Sequence, residues 1–172
     1  MKHKLLILAI IIVPLISSAQ RHLEGMKEIR VGAGITKLGT YGTLGFGYNL
    51  KAKLAIGGDV TYEIAKSSGI GISTGLLNLG ISFNPVNIKE TIYFNLLAGI
   101  AGSYAALDDI SGLKENTKEN GINLGGYAGT ELDFYLTDKF ILTAHYKQFY
   151  LPMQFMGKAI YLIGGGFKIS IN

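Results

Sequence analysis

Residues 122–146, INLGGYAGTELDFYLTDKFILTAHY, decide the fold. Ile122, Leu124, Gly126, Ala128, Thr130, Leu132 and Phe134 fall on one side of a pleat. Asn123, Gly125, Tyr127, Gly129, Glu131, Asp133 and Tyr135 fall on the other. A strand sends successive side chains to opposite faces, so this alternation makes one apolar face and one polar, charged face. Leu136-Thr137-Asp138-Lys139 is turn chemistry. The alternation then resumes, with Phe140, Leu142, Ala144 and Tyr146 against Thr143, His145 and Lys147. Keeping both faces in register across the turn requires an odd loop, residues 137–139 or 135–139.

Working outward, the same two-faced design recurs at 29–36, 41–50, 54–64, 91–104 and 159–171. Ile29, Val31, Ala33 and Ile35 oppose Arg30, Gly32, Gly34 and Thr36. Leu54, Ile56, Val60, Tyr62 and Ile64 alternate with Ala55, Gly57, Asp59, Thr61 and Glu63. Tyr161, Ile163, Phe167, Ile169 and Ile171 oppose Gly164, Gly166, Lys168 and Ser170. The segment 70–83 is less regular, because Ile70, Ile72 and Leu76 run out of phase with Leu77, Leu79, Ile81 and Phe83; a bulge near 74–77 would restore the phase. Asn84-Pro85-Val86-Asn87 reads as a turn, and 105–120 as the longest loop, made hydrophilic by Asp108, Asp109, Lys114, Glu115, Lys118 and Glu119.

The first 19 residues have the layout of a cleavable secretory signal: Lys2, His3 and Lys4, an apolar core at 5–13, then Ser17-Ser18-Ala19 before Gln20. The alternative is an uncleaved anchor, but the apolar run is shorter than the ~20 residues of a membrane span and Pro14 interrupts it. The remaining residues, 20–172, make one domain. With no Cys there is no disulfide, thiolate metal site or lipid-modified cysteine, and the 16% charged fraction is below the roughly 25% usual for soluble domains. The formal charge of +4 falls to +2 once Lys2 and Lys4 are removed, which gives no support to direct nucleic-acid binding.

Eight strands of about ten residues joined by hairpins suit a closed, antiparallel, up-and-down transmembrane β-barrel. Closure pairs every backbone group that lipid would otherwise leave unsatisfied. The turns at 50–53, 84–90 and 137–139 would lie at one end, and the connections at 37–40, 65–69, 105–120 and 150–158 at the other. Aromatic residues gather towards both ends: Tyr48, Phe83, Phe94, Phe134, Phe140 and Phe167 at the turn end, and Tyr41, Tyr62, Tyr104, Tyr146 and Tyr161 at the loop end. Two such belts match two membrane interfaces. The competing architecture is a soluble barrel with its apolar face inward. Against it stands a polar face made mostly of Gly, Ser, Thr and Asn, which suits a narrow interior better than a solvated surface.

The inward face would carry Arg30, Asp59, Glu63, Glu131, Asp133, His145, Lys147 and Lys168. Charges in a dry lumen must be paired, so these residues read as a structural ion-pair network. The alternative is a catalytic site built on His145 with Glu131 or Asp133, for which no nucleophile is evident. Such a site would also point away from the lipid. Gly32-Ala33-Gly34, Gly45-Phe46-Gly47 and Gly164-Gly165-Gly166 do not sit between a strand and a helix, so they read as barrel packing rather than nucleotide loops. No residue set calls for a cofactor or metal. Asp108, Asp109, Phe155 and Met156 are the candidate loop contacts.

Two stretches resemble the TraO family of conjugative-transposon transfer proteins. One is Gln20-Arg21-His22-Leu23-Glu24-Gly25-Met26-Lys27. The other is Tyr135-Leu136-Thr137-Asp138-Lys139 followed by a strand, a loop, Gly157-Lys158 and the closing GGGFKISIN of 164–172. The resemblance covers the two ends of the chain. It implies an exported, non-enzymatic envelope protein encoded with a mating apparatus, with other conjugation proteins as partners and no catalytic residue. The last strand, Gly166-x-x-Ile169-x-Ile171, is also similar to the terminal signal read by the barrel-assembly machinery, although Asn172 replaces the usual terminal aromatic residue. The expectation is thus an eight-stranded barrel in the outer membrane of a Gram-negative envelope, surrounded by its lipids.

Overall fold

A computed structural model describes residues 24–67, 70–89, 91–107, 121–152 and 159–171. The signal segment, Asp108, Asp109, Phe155 and Met156 lie outside them. Eight strands follow in chain order: β1 Lys27–Ile35, β2 Gly39–Lys51, β3 Leu54–Ser67, β4 Ile70–Ile88, β5 Ile92–Leu107, β6 Gly121–Tyr135, β7 Phe140–Tyr150 and β8 Ala159–Ile171. Each pairs antiparallel with the next, and β8 pairs back onto β1, so the sheet closes. This is the architecture that the alternation predicts.

The stagger follows from the register. Starting at Ile171 and passing through Lys27, Tyr48, Ile56, Ile81, Ala98, Ala128 and Gln148, the path returns to β8 at Tyr161, ten residues from its start. A ten-residue stagger across eight strands tilts them by roughly 40° and leaves a backbone radius of about 8 Å, an interior that side chains can fill.

The β6–β7 hairpin keeps its faces as expected. Tyr135 pairs with Ile141, and the Leu136 amide donates to the Phe140 carbonyl at 3.0 Å, which leaves residues 137–139 as the loop. The Thr137 hydroxyl accepts from the Lys139 and Phe140 amides and holds the turn.

The structure corrects several expected boundaries. No turn forms at Asn84-Pro85-Val86-Asn87. Instead β4 runs on to Ile88, with its register shift between Phe83 and Val86. Pro85 lacks an N–H and tolerates a bulge, and the Asn84 side-chain amide donates to the carbonyls of Phe94 and Val86 across it. The turn comes later, where Lys89 adopts φ 50°. No bulge forms at 74–77, since β4 pairs without a shift there on both sides. Ile72 and Leu76 break phase because they point inward, both buried, while Leu77 faces out. Strands β3, β5 and β7 also extend past 64, 104 and 147.

Outside, Val31, Leu44, Val60, Leu79, Ile100 and Leu124 form an exposed apolar band. Inside, two apolar layers bracket the polar residues. Tyr93, Tyr135 and Ile141 cluster at the turn end. Tyr41, Leu76, Ala101, Phe149, Leu151, Ile160 and Leu162 cluster towards the loop end. Tyr41 therefore leaves the outer aromatic belt assigned to it: it is 4% exposed and points into the lumen, whereas Tyr62, Tyr104 and Tyr146 are exposed as expected.

Candidate functional site

The charged residues meet between the two apolar layers because their positions share inward parity on five different strands. Lys168 on β8 is the hub. Its ammonium lies 2.5 Å from Glu131 and 2.7 Å from Asp133, both on β6, and 3.9 Å from Glu28 on β1. Arg30, one inward position along from Glu28, lies 3.5 Å from the same Glu28 carboxylate. Lys147 on β7 pairs with Asp59 on β3 and sits 5.9 Å from the Tyr127 ring centroid. A chain of amides extends the network: Asn95 donates to Asp133 at 2.8 Å and accepts from Asn84 at 3.1 Å. The central cluster thus sets three cations against four carboxylates. The cost of desolvating them is offset only because nearly every one has a partner.

Glycine makes the space for these groups. A Cβ at Gly47 would meet the Arg30 guanidinium, and one at Gly45 would meet the Asp59 carboxylate and the Gly58 carbonyl. The void beside Arg30, Asp59, Tyr127 and Lys147 has room for about one water.

Six of the eight residues read from sequence as a lumenal network meet in this core, and His145 is buried in the lumen with the Tyr41 hydroxyl as its partner. Glu63 is buried but stands apart. Its partner is the Thr36 hydroxyl at 2.5 Å, and no cation reaches it among the described residues. Glu28 was missed: it is 2% exposed and central to the network. Glu28 shares parity with Arg30, but an alternation that begins at Ile29 leaves it out. The apolar inward residues Leu76, Ile141, Phe149 and Leu162 were missed as well, because a face read by its polarity hides apolar members.

The catalytic alternative is not assembled. Glu131 lies directly across from His145 in the ladder, yet its carboxylate binds Lys168. The His145 Nε2 instead shares a 2.6 Å hydrogen bond with the Tyr41 hydroxyl. Among the described residues no hydrogen bond joins His145 to Glu131 or Asp133, and no cluster of His, Asp and Glu could hold a metal.

A closed eight-stranded sheet, apolar outside and charged within, is the fold of small outer-membrane barrels, and solved structures agree. Neisserial surface protein A superposes with a TM-score of 0.68 at 13% identity, covering 86% of this chain and 98% of that one. The N-terminal β-barrel domain of Pseudomonas aeruginosa OprF gives 0.63 at 14%, covering 86% and 98%. Ail, the attachment invasion locus protein of Yersinia pestis, gives 0.57 at 15%, covering 86% and 100%. At these identities the likeness establishes the fold alone. No protein-family model matches the chain, and no curated protein matches its sequence.

Proposed function

We propose that the chain is a non-enzymatic barrel of the Gram-negative outer membrane, with a lumen that serves as a structural plug and a loop end that makes its contacts. One observation carries this reading: the distribution of polarity is inverted. Val60, Leu79, Ile100 and Leu124 on the outer wall are more than half exposed, while Glu28, Glu131, Asp133 and Lys168 are buried. Lipid is the solvent that makes such an exterior favourable. Among the described residues the carboxylates of the central cluster face Lys147, Lys168 and Arg30, and His145 bonds the Tyr41 hydroxyl, which supports a structural lumen. The test is fractionation of a Gram-negative host expressing the full chain. The expected result is a carbonate-resistant, heat-modifiable band in the outer-membrane fraction. Recovery in the soluble periplasmic fraction overturns the reading.

A narrower reading makes the barrel an envelope component of a conjugative mating apparatus. Its support is the likeness of residues 20–27, 135–139 and 164–172 to the TraO family. Two of those stretches serve the β6–β7 turn and the closing strand, so they report on barrel construction as much as on a role. Anchoring of transfer proteins, or contact with a recipient through Asp108, Asp109, Phe155 and Met156, belongs to this narrower reading. A donor lacking the gene is expected to lose transfer frequency and to regain it with a plasmid copy. Unchanged transfer with an intact envelope leaves an adhesion or envelope-integrity barrel.

A further inference from the structure

The turn end of the barrel is ringed by lysines. Lys27 opens β1, Lys51 and Lys53 flank the β2–β3 turn, Lys89 makes the β4–β5 turn and Lys139 closes the β6–β7 turn. All five are exposed. The ion pairs among the described residues include none of the five; Glu24 and Asp138 are the exposed acidic groups at this end, and Glu28 beside Lys27 is buried in the lumen. Each stands beside the lower edge of the apolar band. Lys51 follows Leu50, Lys89 follows Ile88, and Lys139 precedes Phe140, all three neighbours exposed. Lys27 faces outward between Tyr48 and Ile171 in the ladder.

We propose that this ring binds the anionic headgroups of glycerophospholipids in the leaflet at the turn end. The inference rests on the membrane reading above. The lysine stem lies along apolar surface while its ammonium reaches the headgroup plane, and a cation at an anionic surface attracts it. Two features favour lipid over an acidic protein. The lysines are spread over every described hairpin end around the circumference, which a one-sided partner could not engage together. Each also borders the apolar band, where the headgroups of surrounding lipid must lie.

The test reconstitutes the full barrel into vesicles of equimolar phosphatidylglycerol and phosphatidylcholine, extracts it into mild detergent and identifies the retained lipids by native mass spectrometry. The wild type is expected to retain a several-fold excess of phosphatidylglycerol, reduced by 0.5 M salt. Replacing all five lysines with Gln should return the ratio to the bulk value, while five Lys→Arg substitutions should preserve it. Soluble glycerophosphate added to phosphatidylcholine vesicles should not remain bound, which separates a headgroup held in a bilayer from free phosphate. A wild-type barrel that inserts but retains lipids in the bulk ratio overturns the proposal, and so does equal enrichment in the Gln variant. If the Gln variant does not fold, a salt-insensitive excess in the wild type overturns it equally. Failure of the wild type to insert at all overturns the membrane reading as well, and so is distinguishable.

Discussion

A buried cation matters most for what its removal leaves behind. Lys147 and Asp59 neutralise one another across the lumen, and losing one partner strands a charge in a medium that solvates it poorly. Lys147→Met is therefore expected to lower stability by about 3–5 kcal/mol, as is Asp59→Leu, whereas the double substitution should cost far less than the two combined. Urea titration of the reconstituted barrel, followed by its heat-modifiable migration, measures all three. Additive losses would show that the pair is not energetically coupled. His145 presents a different case. His145→Ala removes the partner of the Tyr41 hydroxyl and should cost about 1–3 kcal/mol while leaving envelope function intact. A folded variant that loses function in the host would reopen the catalytic alternative.

At the scale of the element, the strands were legible wherever the inward positions are mostly polar or small. β6 reads this way along most of its length, as does β8 from Gly164 onward, and the hairpin turn at 137–139 was legible from its own chemistry. The reading failed where inward positions are themselves apolar. Ile72 and Leu76 on β4 are both buried in the lumen, so their pattern mimics a slipped register although the ladder is continuous. It failed again at Pro85, where turn-like composition marks a bulge stabilised by Asn84. The ion pairs were legible as a set of inward charges, but their partners were not, because pairing depends on which strands face each other across the lumen. The true β4–β5 turn carries its own test. Lys89 has φ 50°, a left-handed conformation that costs a side-chain-bearing residue roughly 1–2 kcal/mol. Lys89→Gly should therefore raise the urea midpoint, with a gain of about 0.5–1 kcal/mol after the added freedom of the unfolded chain. A lower midpoint would show that the lysine side chain contributes more than its backbone costs.

Over the whole molecule, inside and outside are exchanged relative to a soluble barrel. Leu79 lies in the middle of the apolar band, 53% exposed, and Leu79→Arg is expected to destabilise the inserted barrel by about 2–4 kcal/mol. Refolding yields in vesicles against urea provide the measurement, and a neutral outcome would mean that this face does not meet lipid. Closure itself has a further consequence. The seam joins Lys27 to Ile171 and Gly34 to Gly164, so the least local contacts in the chain are also those that complete the sheet. Contacts at such sequence separation form slowly, after the neighbouring hairpins have zipped. Until they do, β1 and β8 are open edges able to recruit strands from other chains. The facing run Gly32-Ala33-Gly34 against Gly164-Gly165-Gly166 presents almost no side-chain bulk to the approaching edge. The last step of assembly is thereby a meeting of bare backbones, quick once aligned, and the interval before it is when the nascent chain most needs an escort.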